Sequence, residues 1–588
     1  MKEKAFSLAK EWAENIYIDQ SDREELIQLL ANPDTNENEI IDRFYQNLEF
    51  GTGGLRSLIG VGSNRINKYN IRKATQAMAN TVLQEKPTGA KACLSYDNRR
   101  FSKEFAKEAA SVFAANGIKT YIYPVLTPTP MLSYAVRYYK ADCGIMITAS
   151  HNPKMYNGFK AYWSDGAQVT PPHDTIVIEA YNKISSWDEI KTIDFKTAEN
   201  DKLIEWIDDE CNESFYKIIE DKTLNLGMCK EHGEKVHFIY TPLHGCGFIP
   251  CEKISKRMGF KNFEVVQSQS EFDTEFSTLS STPNPEDPEA LQLAVALMKE
   301  GNADIAYGTD PDGDRLGVVV NDKGVEVFLN GNQIAILMVH YLMTQMKEKN
   351  ILPKNPLVIK SIVTSGMQKT IVEALGGTVL DTLTGFKWMA KLWKDLEDSK
   401  TDYNFIFASE ESFGYMPHDL VRDKDAVAAI ALMNEITLFY KLQKKTLVDA
   451  LDDIYEEYGF GKESLIALTF PGLDGKNKIN RIMEYFRANY NQSIAENKIK
   501  LFKDFKSGIE KDLISEQESK IEMTSSNVLG FEFENGNILY LRPSGTEPKI
   551  KFYTMVQVKT GDLDTKKKTA QEQINKIEAF INNKIEDI

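Results

Sequence analysis

Four short polar loops, each following an apolar run, carry the residues that could do chemistry. The first is Thr148-Ala-Ser-His-Asn-Pro153, directly after the run Gly144 to Ile147. Ligands of open α/β sheets gather at such strand ends. A lone serine in a turn is usually a cap or turn former. Ser150, however, stands beside His151 and Asn152, and Asn157-Gly-Phe-Lys160 brings a cation back to the same edge. No nucleophile-elbow pattern surrounds it, so it reads as a phosphate carrier rather than an acyl nucleophile. The second loop, Gly308-Thr-Asp-Pro-Asp-Gly-Asp-Arg-Leu-Gly317, alternates Asp310, Asp312 and Asp314. In an extended loop these carboxylates converge on one side, with Pro311 and Gly313 supplying the bends. Three hard oxygen ligands suit Mg²⁺, which keeps positions open for water or a phosphate oxygen. The plainer reading is a solvated acidic turn.

Two other uses of such aspartates fail on spacing. An EF-hand needs glycine where Arg315 stands and glutamate where Asn321 stands. A haloacid-dehalogenase-type motif needs Thr or Val where Asp314 stands, which argues against Asp310 as a phospho-accepting nucleophile. The third loop is Ala408-Ser-Glu-Glu-Ser-Phe-Gly-Tyr415, continued by Val421-Arg-Asp-Lys-Asp425. Glu410 and Ser412 can accept and donate hydrogen bonds to vicinal sugar hydroxyls, with Lys424 directed to the same cavity. Charged turns of this composition are also common as plain surface. The fourth loop is Arg542-Pro-Ser-Gly-Thr-Glu-Pro548. Its backbone around Gly545 can present N–H groups to a phosphate. Arg542 adds a bidentate donor and Lys551 a second positive charge. No Walker A pattern occurs, so nucleotide hydrolysis loses support.

The elements that must hold these loops alternate in type. Strand-like runs at Lys91 to Tyr96, Lys119 to Tyr123, Cys143 to Thr148, Lys235 to Tyr240, Asp304 to Tyr307, Pro356 to Val363 and Asn404 to Phe407 are separated by helical patterns such as Ser102 to Asn116. This predicts α/β units with mostly parallel sheets. Asp425 to Tyr458 reads as one long helical pattern and Thr565 to Ile588 as another. The last ~125 residues mix strands with charged helices, which predicts an α+β terminal region. Four domains are expected, at residues 1–215, 216–326, 327–462 and 463–588, since 588 residues exceed a single core.

Composition narrows the class. The chain is 42% hydrophobic and 27% charged, ordinary for a globular protein, and its net charge of −16 argues against nucleic acid or anionic membrane as partners. Anionic substrates must then be attracted locally. The six cysteines show no metal-type spacing and read as reduced thiols. The N-terminus reads as an amphipathic helix without an apolar signal core, and the longest apolar stretch, Ala426 to Met433, is too short for a bilayer. A cytoplasmic protein is expected.

Taken in order, T-A-S-H-N-P, G-T-D-P-D-G-D-R, S-E-E-S-F-G and R-P-S-G-T-E-P-K resemble the four-motif signature of the α-D-phosphohexomutase superfamily and its phosphoglucomutase/phosphomannomutase family. Gly51-Thr-Gly-Gly-Leu-Arg56 and Thr384-Gly-Phe-Lys387 also match. Asp165-Gly-Ala-Gln-Val-Thr-Pro-Pro-His-Asp174 looks closest to the bacterial phosphoglucomutase and phosphopentomutase-like branch. The resemblance implies a heart-shaped molecule of three mixed-sheet α/β domains and a C-terminal α+β domain, each giving one loop to a central cleft.

It further implies that Ser150 is a phosphoserine, and that Asp310, Asp312 and Asp314, with a phosphoseryl oxygen, bind one Mg²⁺ per chain. Arg56 and Arg315 would steady that phosphate. Glu410 and Ser412 would hold sugar hydroxyls, and Thr384, Gly385, Lys387 and Lys424 would line the sugar site. Arg542, Ser544, Gly545, Thr546 and Lys551 would grip the distal phosphate. The general base stays open among Lys160, Lys424, Lys387 and His151. The implied reaction interconverts glucose 1-phosphate and glucose 6-phosphate through glucose 1,6-bisphosphate, in a monomer or weak homodimer that takes small sugar phosphates. A third loop reading S-E-E-S-F-G rather than G-E-x-S-G-H argues against mannose. A phosphopentomutase, a phosphomannomutase and a silent sugar-phosphate-binding regulator are the alternatives.

Overall fold

The computed structural model describes residues 2–49, 54–470, 472–544 and 548–588. They fold into two compact units. One comprises Met1–Gly331, Phe386–Thr401 and Ser412–Gln443, and the other Asn332–Gly385, Asp402–Glu411 and Lys444–Ile588.

The first unit holds two mixed sheets. Its first sheet runs Leu55–Leu58, Tyr156–Trp163, Cys143–Ile147, Lys91–Tyr96, Lys119–Ile122, Ile204–Trp206. The last four strands are parallel and the first three antiparallel. Parallel strands buried on both faces need continuous apolar runs, and Cys143–Ile147 is buried at every position. Helices Lys68–Glu85 and Ser102–Ala115 pack their alanine-rich faces on this core. Small side chains let these helices lie close over the strands. The second sheet runs Val325–Leu329, Leu316–Asp322, Ile305–Thr309, Phe238–Thr241, Phe263–Val265. Its last three strands are parallel and the Leu316–Asp322 strand turns back antiparallel. Helices Lys2–Glu14, Gln20–Ala31 and Pro33–Phe44 form a separate layer around Trp12, which meets Phe44, Tyr69 and Trp187 edge-on.

In the second unit, Thr378–Thr382, Pro356–Ser361 and Asn404–Glu410 pair in parallel. The C-terminal sheet is antiparallel throughout, in the order Phe460–Thr469, Lys549–Val558, Ile538–Pro543, Leu529–Phe533, Ile499–Asp504, Ile509–Asp512, Gln517–Lys520. Helices Gly472–Ala488 and Leu563–Asp587 accompany it. The α/β class with an α+β C-terminal part is therefore what forms.

Two expectations need correction. The sheets are mixed, as the resemblance implies, and not mostly parallel as the strand–helix alternation suggests: Leu55–Leu58 and Tyr156–Trp163 run antiparallel to their neighbours in the first sheet, and Leu316–Asp322 in the second. The long helical pattern is two helices, Ala426–Leu442 and Leu447–Tyr458. Lys444 takes a left-handed φ of 61°, and Thr446 and Asp449 then build a capping box that starts a new helix. Among the described residues no helix is long and apolar enough to cross a membrane.

Candidate active site

Ser150 lies just past the Cys143–Ile147 strand, 4% exposed, with a left-handed φ of 50°. Its hydroxyl donates to Asp310 Oδ2 at 2.7 Å and lies 3.2 Å from His151 Nδ1. Antiparallel pairing sets Met146 opposite Lys160. From there the Lys160 ammonium donates to Asp312 Oδ2 at 2.6 Å and to Asp314 Oδ2 at 3.2 Å. The aspartates follow the Ile305–Thr309 strand in a turn closed by the Gly313 N–H on the Asp310 carbonyl at 2.9 Å. Gly313 has a φ of 62° there, a conformation in which glycine avoids the cost of a Cβ. One carboxylate oxygen from each of Asp310, Asp312 and Asp314 lies within 4.8 Å of the others, and all three residues are buried.

Three carboxylates so close cannot ionise independently. Burial first, then the charges of Asp314 and Asp312, hold the Asp310 carboxyl well above its ordinary pKa. Burial would raise Asp312 as well, but the Lys160 ammonium overrides it and holds that carboxyl below the usual range. Lys160 answers in kind. Burial would lower it, yet Asp312 and Asp314 together raise it, so it stays protonated at neutral pH. Burial, followed by Arg315 and Arg56, pushes His151 well below its ordinary value, leaving a neutral imidazole beside Ser150.

The donor set fits a hard cation. Asp312 Oδ1 and Asp314 Oδ1 are buried and make no hydrogen bond among the described residues, and a buried oxygen left in that state is costly unless something positive meets it. The triad could thus hold a metal ion. Arg56 donates to Asn152 Oδ1 at 3.0 Å, so it reaches the Ser150 loop. Arg315 gives its backbone N–H to Asp310 Oδ1 at 3.0 Å and pairs with Glu286 at 2.8 Å. Lys424 joins the cluster at 3.1 Å from Asp314 Oδ2. Lys387 does not: it pairs with Asp174 at 3.5 Å and lies over the Trp388 ring. Ser412 belongs to the first unit, in the stretch where Gly414 bridges Arg315.

In the second unit Glu410 ends the Asn404–Glu410 strand and is buried. Its neighbour Glu411 accepts from the Ser361 hydroxyl at 3.0 Å. Arg542 faces Lys551 across the antiparallel ladder, and the Ser544 N–H closes on the Lys549 carbonyl at 2.7 Å. Tyr553, from the same ladder, is raised above its ordinary pKa by burial and then by Glu411, against the pull of Arg542. Thr384 and Gly385 form a bend, where Gly385 has a φ of 114°. Gly545, Thr546 and Gly51 to Gly53 of the expected motifs lie outside the described residues.

Sequence reading missed several supporting groups. Thr129 gives its backbone N–H to the Asp312 carbonyl and its hydroxyl to Asp312 Oδ2, both at 2.9 Å. Tyr162 and Gln168 each donate to Asp423 Oδ2 at 2.8 Å, which fixes the residue next to Lys424. Thr129 is 183 positions from Asp312, and only its setting in Thr127-Pro-Thr-Pro130 marked it as a special turn.

Asp425 caps the helix that carries this segment, accepting from the Ala428 N–H at 2.9 Å, while its Oδ2 has no partner among the described residues. Burial pushes its carboxyl up to about 7, despite the backbone bonds from Ala428 and Val427. A folded-state value above the unfolded one means that ionisation opposes folding. The cost is absent below about pH 4, grows towards pH 7 and reaches about 4 kcal/mol above it. His418, pushed down to about 4 by burial, works in the opposite direction across much of that window. Asp425→Asn keeps the cap and removes only the first effect. The difference between the urea midpoints of wild type and variant should therefore widen from about pH 4 to 7, in favour of the variant. A constant difference would refute the assignment.

Comparison with known proteins shows the family. Family models for phosphoglucomutase/phosphomannomutase α/β/α domains I, II and III match residues 47–187, 213–324 and 330–458. A phosphoglucomutase of Staphylococcus epidermidis is 36% identical over 540 residues, covering 92% of this chain and 96% of the relative. One from Staphylococcus haemolyticus is 37% identical over 517 residues, covering 88% and 91%. Among solved structures, the Paramecium exocytosis-sensitive phosphoprotein pp63/parafusin, a phosphoglucomutase in its open form, matches with a TM-score of 0.70 at 18% identity over 92% of this chain and 95% of that one. A phosphoglucomutase/phosphomannomutase family protein from Burkholderia thailandensis matches with a TM-score of 0.62 at 18% identity, over 90% and 97%. At those identities the structures speak for the fold, and the sequence matches carry the assignment: this chain belongs to the phosphoglucomutase/phosphomannomutase family.

Proposed function

We propose that the protein is a phosphoglucomutase, an isomerase that interconverts α-D-glucose 1-phosphate and D-glucose 6-phosphate. The observation that carries this reading is the Ser150 hydroxyl on Asp310 at 2.7 Å, inside a buried cluster of three carboxylates. Two relatives called phosphoglucomutase, matched along nearly their whole length, support glucose as the sugar.

A phosphomonoester is inert, so the protein must position the reactants and neutralise charge. Asp310, Asp312 and Asp314 would hold one Mg²⁺, which supplies charge neutralisation at the phosphate on Ser150. Ser150 carries the phosphoryl group. The free hydroxyl of a bound sugar monophosphate attacks that phosphorus, the bond to Ser150 Oγ breaks, and glucose 1,6-bisphosphate results. The intermediate turns end over end, and Ser150 takes back the other phosphate.

Arg56 and Arg315 steady the phosphate on Ser150. Lys160, held protonated by Asp312 and Asp314, suits the acid side of proton transfer better than the base side. His151, neutral and 3.2 Å from Ser150 Oγ, suits acceptance. Thr384, Gly385, Lys387, Glu410, Ser412 and Lys424 take the sugar, and Arg542, Ser544, Gly545, Thr546 and Lys551 its distal phosphate. We read the enzyme as a cytoplasmic monomer or weak homodimer with the four domains given above.

Turnover on glucose 1-phosphate, mannose 1-phosphate and ribose 1-phosphate, each primed with its bisphosphate, tests the sugar. The highest kcat/KM should fall on glucose 1-phosphate. A clear preference for ribose or mannose would replace that assignment.

A further inference from the structure

Arg99 takes no part in the chemistry above, yet it is buried to 2% exposure beside the phosphate-carrying loop. Its two terminal nitrogens make four hydrogen bonds, all to backbone carbonyls of one turn. Nη2 donates to Ser150 and Asn152, each at 2.5 Å, and Nη1 to Pro153 at 2.9 Å and Tyr156 at 3.0 Å. Nε lies 3.3 Å from Asp97 Oδ2.

Asp97 is held just as firmly. It accepts from the Thr148 hydroxyl at 2.6 Å, the Ser102 hydroxyl at 2.7 Å and the Arg99 N–H at 3.0 Å. Thr148 in turn accepts the Ser150 N–H on its own hydroxyl at 2.8 Å. Through Arg99 and Thr148 the pair reaches the Ser150 turn, and through Ser102 it is tied to the Ser102–Ala115 helix.

A buried ion pair is ordinarily a weak argument for stability. What singles this one out is where its donors point. The turn Ser150 to Tyr156 joins the strand that delivers Ser150 to the strand that carries Lys160. It contains a non-glycine residue, Ser150 itself, in a left-handed conformation that costs on the order of 1 kcal/mol. At Ser150 the surroundings over-determine it, since Arg99 holds the Ser150 carbonyl and Thr148 its N–H. A planar guanidinium with donors in a fixed fork can meet four carbonyls at once, whereas a lysine ammonium has three donors on a flexible stem.

The geometry points to Arg99, clamped by Asp97, as the positioning residue that holds the Ser150 backbone so that its Oγ faces Asp310. This rests on the reading of Ser150 as the phosphate carrier. It goes beyond that reading by assigning the alignment of the carrier to a buried pair outside the groups given a role in binding or transfer.

The test is Arg99→Lys, compared with wild type in a single-turnover experiment that follows transfer from phospho-Ser150 to sugar monophosphate. Misplacing a reacting group by about 1 Å costs on the order of 100-fold. The transfer rate and kcat should fall by about that factor, with KM within about threefold because the groups gripping the sugar are unchanged. Asp97→Asn, which keeps the shape and drops the charge, should slow transfer about tenfold by loosening the same clamp. It decides the matter should Arg99→Lys fail to fold. A folded Arg99→Lys, or in its place a folded Asp97→Asn, that transfers at the wild-type rate overturns the proposal. Wild type that never carries phosphate on Ser150 would instead refute the underlying reading and leave the clamp without an object.

Discussion

Replacing Ser150 with alanine should lower mutase turnover by roughly four to six orders of magnitude, the scale on which loss of a covalent catalyst is felt. The hydroxyl is the only part removed. Its partners, Asp310 at 2.7 Å and His151 at 3.2 Å, keep their own positions, since Asp310 Oδ1 still accepts the Asp314 and Arg315 N–H groups. The backbone strain at φ 50° falls on serine and alanine alike, so the fold should survive. With the sugar-binding side chains untouched, apparent affinity for glucose 1-phosphate should change little. A variant that keeps near-wild-type turnover would mean that the phosphoryl group never passes through Ser150.

The second large effect is expected at the aspartate cluster. Asp312→Asn should reduce turnover by about 10³-fold, in line with losing several kcal/mol of charge stabilisation. Asp312 Oδ2 is occupied by Thr129 and Lys160, while Oδ1 is buried without a hydrogen-bond partner among the described residues. The charge that would meet a cation at Oδ1 disappears in the variant, although the side chain keeps its shape. Lys160 then keeps only Asp314 of its two carboxylate partners, and the site's attraction for a divalent ion falls.

A readout independent of activity is available. Wild-type protein should gain about 2.7 kcal/mol of apparent stability when Mg²⁺ is raised to a hundred times its dissociation constant. The variant should gain far less at the same concentration. Chelation of wild type should mimic the variant and be reversed by adding the metal back. Turnover that survives exhaustive chelation would contradict the role given to the triad.

Much of this was legible in the sequence because it is local. The strand Lys91–Tyr96 coincides with its apolar run, and Ser102–Ala115 with its helical period. Each candidate loop among the described residues falls at a strand end. Asp310, Asp312 and Asp314 do converge, although on a turn closed by the Gly313 N–H rather than on the extended loop expected.

What escaped was either long-range or masked by a stronger pattern. Thr129 on Asp312, and Tyr162 and Gln168 on Asp423, are partners brought together only by sheet order. Asp97 and Arg99 sit in an unremarkable Tyr96-Asp-Asn-Arg-Arg stretch, and their importance appears only once the Ser150 turn folds over them. The break between Leu442 and Leu447 carried its own signal, the Thr446 to Asp449 capping box, but the continuous apolar period on both sides hid it. The antiparallel strand Leu316–Asp322 was invisible for another reason: strand direction is set by the length of the turn before it, not by the strand's own residues.

The measurement that bears most directly on the whole account is the intact mass of the purified protein before and after exposure to excess sugar monophosphate. A species heavier by one phosphate on Ser150, discharged by glucose 1-phosphate and restored by glucose 1,6-bisphosphate, is the result predicted. A protein that turns over glucose 1-phosphate while its mass never includes that phosphate, or that carries it on another residue, would contradict the account.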